Sequence, residues 1–143
     1  MYRKNPHLEV FLVHPGGPFF KNKDIGSWSI PKGEFETEQP LAAARREFRE
    51  ETGTDLEGPF TELHPIKQKS GKMVYAWATE GNVDESNLTC NTFSLEWPPK
   101  SGKFKEFPEI DKGAWFSIPE AKEKILAAQV PLLEELEQLT VDS

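Results

Sequence analysis

In the stretch ARREFREETG, residues 44–53, three glutamates and three arginines crowd ten positions. On a helix Glu47 neighbours both Glu50 and Glu51, because residues three and four apart share a side, and each like-charge pair costs an isolated helix about 0.2–0.5 kcal/mol. Gly53 is a natural C-terminal stop, so these acids also sit in the last turns, where the helix dipole disfavours anions. Two local rules broken at one place mark a functional or strained site. A hard cation would relieve the repulsion: clustered carboxylate oxygens suit magnesium or manganese, which bridge to substrate phosphates. The plain alternative is a solvated charged face, softened by the neighbouring Arg46 and Glu50.

The preceding segment, PKGEFETE, points the same way. Pro31, Lys32 and Gly33 read as a turn, with Glu38 shortly before the helix. Gly33 allows close backbone approach, and Lys32 can reach a phosphate as a point charge. Loop and helix together read as a cradle for an anion and a metal; an ordinary tight turn is the alternative.

These residues need a scaffold to hold them. Pro40–Thr52 is expected to be helical, with Pro40 in the first turn and Leu41, Ala44 and Phe48 as its core stripe. Leu8–His14 is a run of strand formers stopped by Pro15-Gly16-Gly17-Pro18. Residues 18–26 read as a loop, and SWSI (27–30) as a short extended piece. Lys72–Thr79 and Thr92–Trp97 read as strands separated by the polar loop GNVDESNLT, and residues 98–103 form a second loop with clustered lysines. Ala114–Ile118 reads as a last strand. Pro119–Thr140 is expected to be helical, with Ile125, Leu126, Leu132, Leu133, Leu136 and Leu139 apolar and a break at Pro131. Without repeats or regular β-α alternation, these elements indicate an α+β or mixed α/β fold in one domain over residues 1–143.

Composition narrows the function. With 36% hydrophobic and 11% aromatic residues the chain has an ordinary globular make-up. A net charge of -7 argues against a nucleic-acid polymer or an anionic membrane as partner. No run approaches the roughly 20 apolar residues of a membrane span, and the N-terminal residues do not read as a secretory signal. The single cysteine, Cys90, excludes an internal disulfide and fits a reducing cytoplasm. A small anionic substrate remains compatible with an acidic chain if a divalent cation mediates.

Gly33, Glu38, Arg46-Glu47-Phe48, Glu50-Glu51 and Gly53 resemble the signature of the Nudix hydrolases: glycine, five residues, glutamate, seven residues, then R-E-apolar-x-E-E-x-G-apolar. Two positions depart from it, with four residues rather than five between Gly33 and Glu38, and Thr54 at the final apolar position. The helical register of the acids is unaffected. Related proteins open with a strand of small and apolar residues before a tyrosine-arginine pair. Here Met1-Tyr2-Arg3 suggests a truncated first strand, so either that edge is uncovered or the true start lies upstream.

The resemblance implies an α/β/α sandwich with a mixed β-sheet. It implies that Glu47, Glu50 and Glu51 hold one to three magnesium or manganese ions, with the carbonyl of Lys32 as a further ligand and Arg46 orienting the glutamates. A distant glutamate completes the site in several relatives. In EFPEIDKGAWF, Glu109 is the candidate, with Glu106 in reserve. The implied reaction is metal-assisted attack of water on a diphosphate linkage, with Glu51 or Glu47, and then Glu109, as candidate general bases.

WSIPKGE is similar to the W-x-x-P-K-G stretch of relatives acting on diadenosine polyphosphates, and residues 91–116 resemble a branch of predicted NTP pyrophosphohydrolases. Lys100, Lys103 and Lys105 are therefore candidates for holding phosphates, with Gly33 and Lys32. Tyr75, Trp97 or Phe104 are candidates for stacking on a base. The lead substrate is a nucleoside polyphosphate, an NTP or a dinucleoside polyphosphate, acted on by a monomer or homodimer. A damaged dNTP, an NDP-sugar or a diphosphoinositol polyphosphate stays open. So does a non-catalytic nucleotide-sensing domain on the same fold, although such a descendant would be free to lose Glu50 or Glu51. A calcium-regulated protein would need a D-x-D-x-D-G loop, which the chain lacks.

Overall fold

The structure is a computed structural model that describes residues 1–4, 7–19, 21–30, 40–55, 58–67, 71, 73–82, 92–108 and 110–141. Its centre is a three-stranded antiparallel sheet in the order β1 (Tyr2–Lys4), β2 (Leu8–Pro15), β9 (Ile110–Ser117). Alternation along β2 decides the layering, since successive side chains leave opposite faces of a strand. Val10 and Leu12 enter one core with Trp28, Phe116 and the C-terminal helical residues Ala121, Ile125, Leu132, Leu133 and Leu136. Phe11 and Val13 face the other way and bury Phe48 of helix α1 (Pro40–Thr52), with Trp115 and Ile110 packed alongside. One helix on one face and the C-terminal helices on the other make the α/β/α sandwich that the resemblance implied.

The first strand is short, as expected, but its outer edge is not bare. The Tyr2 amide donates to the Thr79 carbonyl and the Gly81 amide to the Tyr2 carbonyl, each at 3.0 Å. This parallel bridge, Tyr2 to Glu80, makes the pairing mixed. It attaches an irregular hairpin built from β3 (Thr61–Glu62) and β4 (Ile66–Lys67) against β5 (Met73–Val74) and β6 (Trp77–Ala78). The single strand expected over Lys72–Thr79 is thus two short ones, interrupted at Tyr75–Ala76. A third hairpin, β7 (Thr92–Glu96) with β8 (Phe104–Pro108), precedes β9. Most of the expected polar loop, residues 83–89, lies outside the described residues.

The C-terminal segment also differs from expectation. Helix α2 (Ile118–Lys124) ends at Ile125, a 3-10 turn follows at Ala127–Gln129, and α3 spans Val130–Val141. The break comes before Pro131, which sits in the first turn of α3, where its missing amide N–H costs no helical hydrogen bond.

Two polar devices fix the strand that leads into residues 31–39. Ser29 and Val13 exchange both backbone hydrogen bonds, at 2.8 and 3.0 Å, and the Ile30 amide donates to Oε1 of the buried Gln129 at 3.0 Å. Trp28 donates its indole N–H to Asp24 at 2.7 Å and packs edge-on against Phe116. Next to them, a β-bulge after His14 pairs His14 with Lys112 and Pro15 with Ile110, leaving Asp111 out of the ladder. Bulges re-aim side chains. Here Oδ1 of Asp111 lies 2.8 Å from Nδ1 of the fully buried His14, whose Nε2 is 2.6 Å from the Lys23 carbonyl.

Candidate active site

Helix α1 is attached to the sheet by Ala43, Phe48 and Thr52, all buried. Phe48 meets Phe11 edge-on at a ring separation of 6.3 Å. The expected stripe was Leu41, Ala44 and Phe48. Leu41 and Ala44 are only half-buried, and the small Ala43 and the hydroxyl-bearing Thr52 take their places. Thr52 is tolerated there because its hydroxyl donates to the Phe48 carbonyl at 2.7 Å. Gly53 ends the helix with φ 74° and donates its amide to the Arg49 carbonyl at 2.8 Å, the left-handed stop that glycine adopts without strain.

This anchoring turns Arg46, Glu47 and Glu50 away from the sheet but leaves them partly shielded. Their side chains are 32%, 18% and 37% exposed. Nη1 of Arg46 lies 3.1 Å from Oε1 of Glu47 and 3.2 and 3.3 Å from the two oxygens of Glu50. One guanidinium nitrogen therefore gathers two carboxylates from successive turns. Glu47 is unusually enclosed for an acid, since charged side chains are seldom buried without a partner. The arrangement can attract a second cation, because one positive charge faces at least two negative ones.

Among the described residues no group of three or more His, Cys, Asp or Glu side chains converges on one point. The backbone of Glu51 belongs to α1, while its side chain lies outside the described residues, as do Lys32, Gly33, Glu38 and Glu109. What is described fits a hard cation: two convergent carboxylates, oxygen donors only, and no competing thiol or imidazole.

The remaining candidates lie on the hairpins. Tyr75, 42% exposed, occupies the interruption between β5 and β6. Trp97 closes the β7–β8 ladder, its amide donating to the Lys103 carbonyl at 2.9 Å, and Lys100 and Lys103 are exposed in the turn beyond it. The structure thus brings Arg46, Glu47 and Glu50 together on α1, and Trp97, Lys100 and Lys103 together on the hairpin. Residues 104–108, assigned to no element from the sequence, form β8. FKEFP does not alternate; the available signal was the Pro-Pro-Lys-Ser-Gly turn that separates it from TFSLE. Phe19 was not a candidate either; it stands 58% exposed with its ring edge-on to Trp97 at 5.6 Å.

With this geometry in view, comparison with known proteins gives a consistent result. A family model described as NUDIX domain matches residues 1–136. Among solved structures, the solution structure of the E. coli ORF135 protein is similar over 99% of this chain and 87% of that one. The TM-score is 0.57 at 22% sequence identity, a likeness of fold. No curated protein sequence matches the chain.

Proposed function

The chain belongs to the Nudix family, hydrolases of phosphoric anhydrides, and from that premise we propose that it cleaves a diphosphate linkage in a nucleoside polyphosphate by attack of water. The observation that carries the proposal is the pair Glu47 and Glu50 drawn onto one nitrogen of Arg46, on the helix that bears the family's box. Glu47, Glu50 and Glu51 would hold magnesium or manganese, with the carbonyl of Lys32 and with Glu109 as further ligands. Such an ion, when bound, neutralises phosphate oxygens and lowers the pKa of the attacking water.

The chain's own residues do the rest. Arg46 holds Glu47 and Glu50 in place and offsets their repulsion before the substrate arrives. Lys32 would supply a charge for the phosphates and Gly33, having no side chain, would permit their close approach, while Tyr75 would offer an aromatic face to the base. A glutamate takes the proton from water as the oxygen attacks phosphorus; Glu51 and Glu47 are the first candidates and Glu109 the next. NTPs and dinucleoside polyphosphates are the leading substrates.

The test is a magnesium-dependent screen of nucleotide pyrophosphates with wild type and Glu51→Gln side by side. Loss of turnover by at least about a hundredfold in the variant is expected for a general base. Equal turnover would sink the mechanism, and a wild type inactive on every substrate would favour a nucleotide-sensing domain.

A further inference from the structure

The β7–β8 hairpin has two outer edges, and they differ. Trp97 donates its amide to the Lys103 carbonyl at 2.9 Å, and the ladder continues in that register, with Leu95 opposite Lys105, Ser94 opposite Glu106 and Phe93 opposite Phe107. Hydrogen-bonded and non-hydrogen-bonded pairs alternate along an antiparallel ladder. Phe93, Leu95 and Trp97 therefore turn their backbone groups inward to β8, while Thr92, Ser94 and Glu96 turn theirs outward. By the same parity Phe104, Glu106 and Pro108 form the outer edge of β8.

The β8 edge is built to refuse a partner. Pro108 has no N–H to offer, and its carbonyl oxygen lies against Gly16, 2.0 Å from where a Cβ would stand. Glu106 is at the centre, so pairing β8 with itself about a two-fold axis would oppose two like charges. Proline and charge are the usual means by which an edge avoids association. The β7 edge lacks these devices. TFSLE holds no proline, glycine or lysine, and its one charge, Glu96, stands at the end. Thr92 and Ser94 are exposed. Among the described residues β7 pairs with β8 alone, and no hydrogen bond takes the outward groups of Thr92, Ser94 or Glu96.

We infer that the β7 edge pairs antiparallel with the β7 edge of a second copy of this chain, about a two-fold axis through Ser94. TFSLE is self-complementary in that register. Thr92 meets Glu96 of the second copy, Ser94 meets Ser94, and Phe93 meets Leu95. Each outward-facing residue then exchanges both backbone hydrogen bonds with an outward-facing residue of the other copy. No like charges are opposed, since each Glu96 faces a threonine. On the face that carries Phe93, Leu95 and Phe107, the apolar row continues across the axis. Phe93 and Leu95, only half-buried in one chain, gain the aromatic–aliphatic cross-strand contacts that stabilise sheets. A slip of two residues either way would leave Thr92 or Glu96 without a partner in β7. A foreign extended segment could satisfy the backbone too, but the match of TFSLE with itself favours the second copy. One strand pair is a small interface, so the dimer is weak, with a Kd on the order of 100 µM. Hydrolysis at α1 has no part in this association.

The test is sedimentation equilibrium of the full chain at concentrations from well below to well above that Kd. Wild type is expected to pass from monomer to dimer. Ser94→Lys sets two ammonium groups face to face on the axis and should raise Kd about fivefold. Ser94→Pro removes an outward N–H without touching the β8 ladder and should abolish the dimer. Cross-linking with the thiol oxidant diamide, in a Cys90→Ser background, reads the register. Opposed residues of a hydrogen-bonded pair have Cα atoms about 5.5 Å apart, within the roughly 4.4–6.8 Å that a disulfide spans, so Ser94→Cys should give a covalent dimer. Thr92→Cys should not, because the two copies of that residue lie roughly 14 Å apart along the strands. Ser94→Cys exchanges one small side chain for another, so this arm does not depend on how the bulkier variants fold. A chain that stays monomeric throughout, a dimer indifferent to both Ser94→Lys and Ser94→Pro, or equal cross-linking at the two positions would overturn the inference.

Discussion

Replacing Arg46 by glutamine separates a metal site from a solvated charged face. The substitution removes the contact with Glu50, an i,i+4 pair more than a third exposed, worth about 0.3–0.5 kcal/mol. It also removes the contact with Glu47, whose side chain is 18% exposed; that pair is better shielded and worth about 1 kcal/mol. The metal-free variant should lose roughly 1.3–1.5 kcal/mol. With an unfolding entropy of about 0.3 kcal/mol/K for a chain of this length, Tm should fall by about 4–5 °C in EDTA. Manganese should reverse the order of effects. At about 100 times its Kd a ligand adds roughly 2.7 kcal/mol, and the variant, lacking its built-in counter-charge, should gain at least as much as wild type. The two melting curves should approach each other as manganese is raised. Scanning fluorimetry with sodium chloride at matched ionic strength is the control. If manganese raises Tm no more than sodium chloride does, the carboxylates form a solvated face and the metal reading fails. An unchanged Tm for the metal-free variant would show that the Arg46 contacts contribute nothing.

Gly16→Ala should lower stability by about 2–3 kcal/mol, because a Cβ there would lie 2.0 Å from the backbone oxygen of Pro108 at the end of β8. A denaturant midpoint equal to wild type would contradict that contact. Acid should destabilise the fold through Glu135 and Asp24. Burial alone would raise the Glu135 carboxyl, but the backbone amide, ring hydrogen bond and charge of His64 outweigh it and hold the pKa below 4.5. Asp24 is held below 3.8, first by its hydrogen bond from Lys124 and then by that from Trp28. A depressed carboxyl stabilises the fold above its unfolded pKa and loses that contribution as pH falls through the folded one. Tm should therefore decline as pH drops below about 4, and less steeply in Glu135→Gln. Parallel curves for variant and wild type would refute the assignment.

Elements with punctuation at both ends were legible in the sequence, and elements defined by tertiary contacts were not. Helix α1 could be bounded because Pro40 and Gly53 act through local backbone geometry. Its buried side was misread because Thr52 is polar by type, yet its hydroxyl is satisfied within the helix. Strand β8 was hidden by its lysine and glutamate, which are unremarkable on a ladder without a core. The C-terminal break was placed at Pro131, since proline is a breaker by type. The chain turns earlier because the Leu126 amide is needed by the Trp28 carbonyl at 2.8 Å. His14 sat inside an apolar run, and only the bulge opposite it explains how a buried imidazole meets Asp111.

The distribution of charge links the two candidate regions. Acids that repel one another sit on a helix rigidly held by Phe48 against Phe11, so relief must come from a cation brought to them rather than from movement of the helix. Lys100, Lys103 and Lys105, which have no ion pair among the described residues, sit on the two-stranded β7–β8 hairpin, and an isolated ladder of this size is marginal on its own. The β7–β8 hairpin is tied to the body at Gly16, where no side chain fits under Pro108. Precision is needed where a bond is broken, and tolerance where a flexible phosphate chain is held. The helix held by Phe48 against Phe11 suits the first requirement.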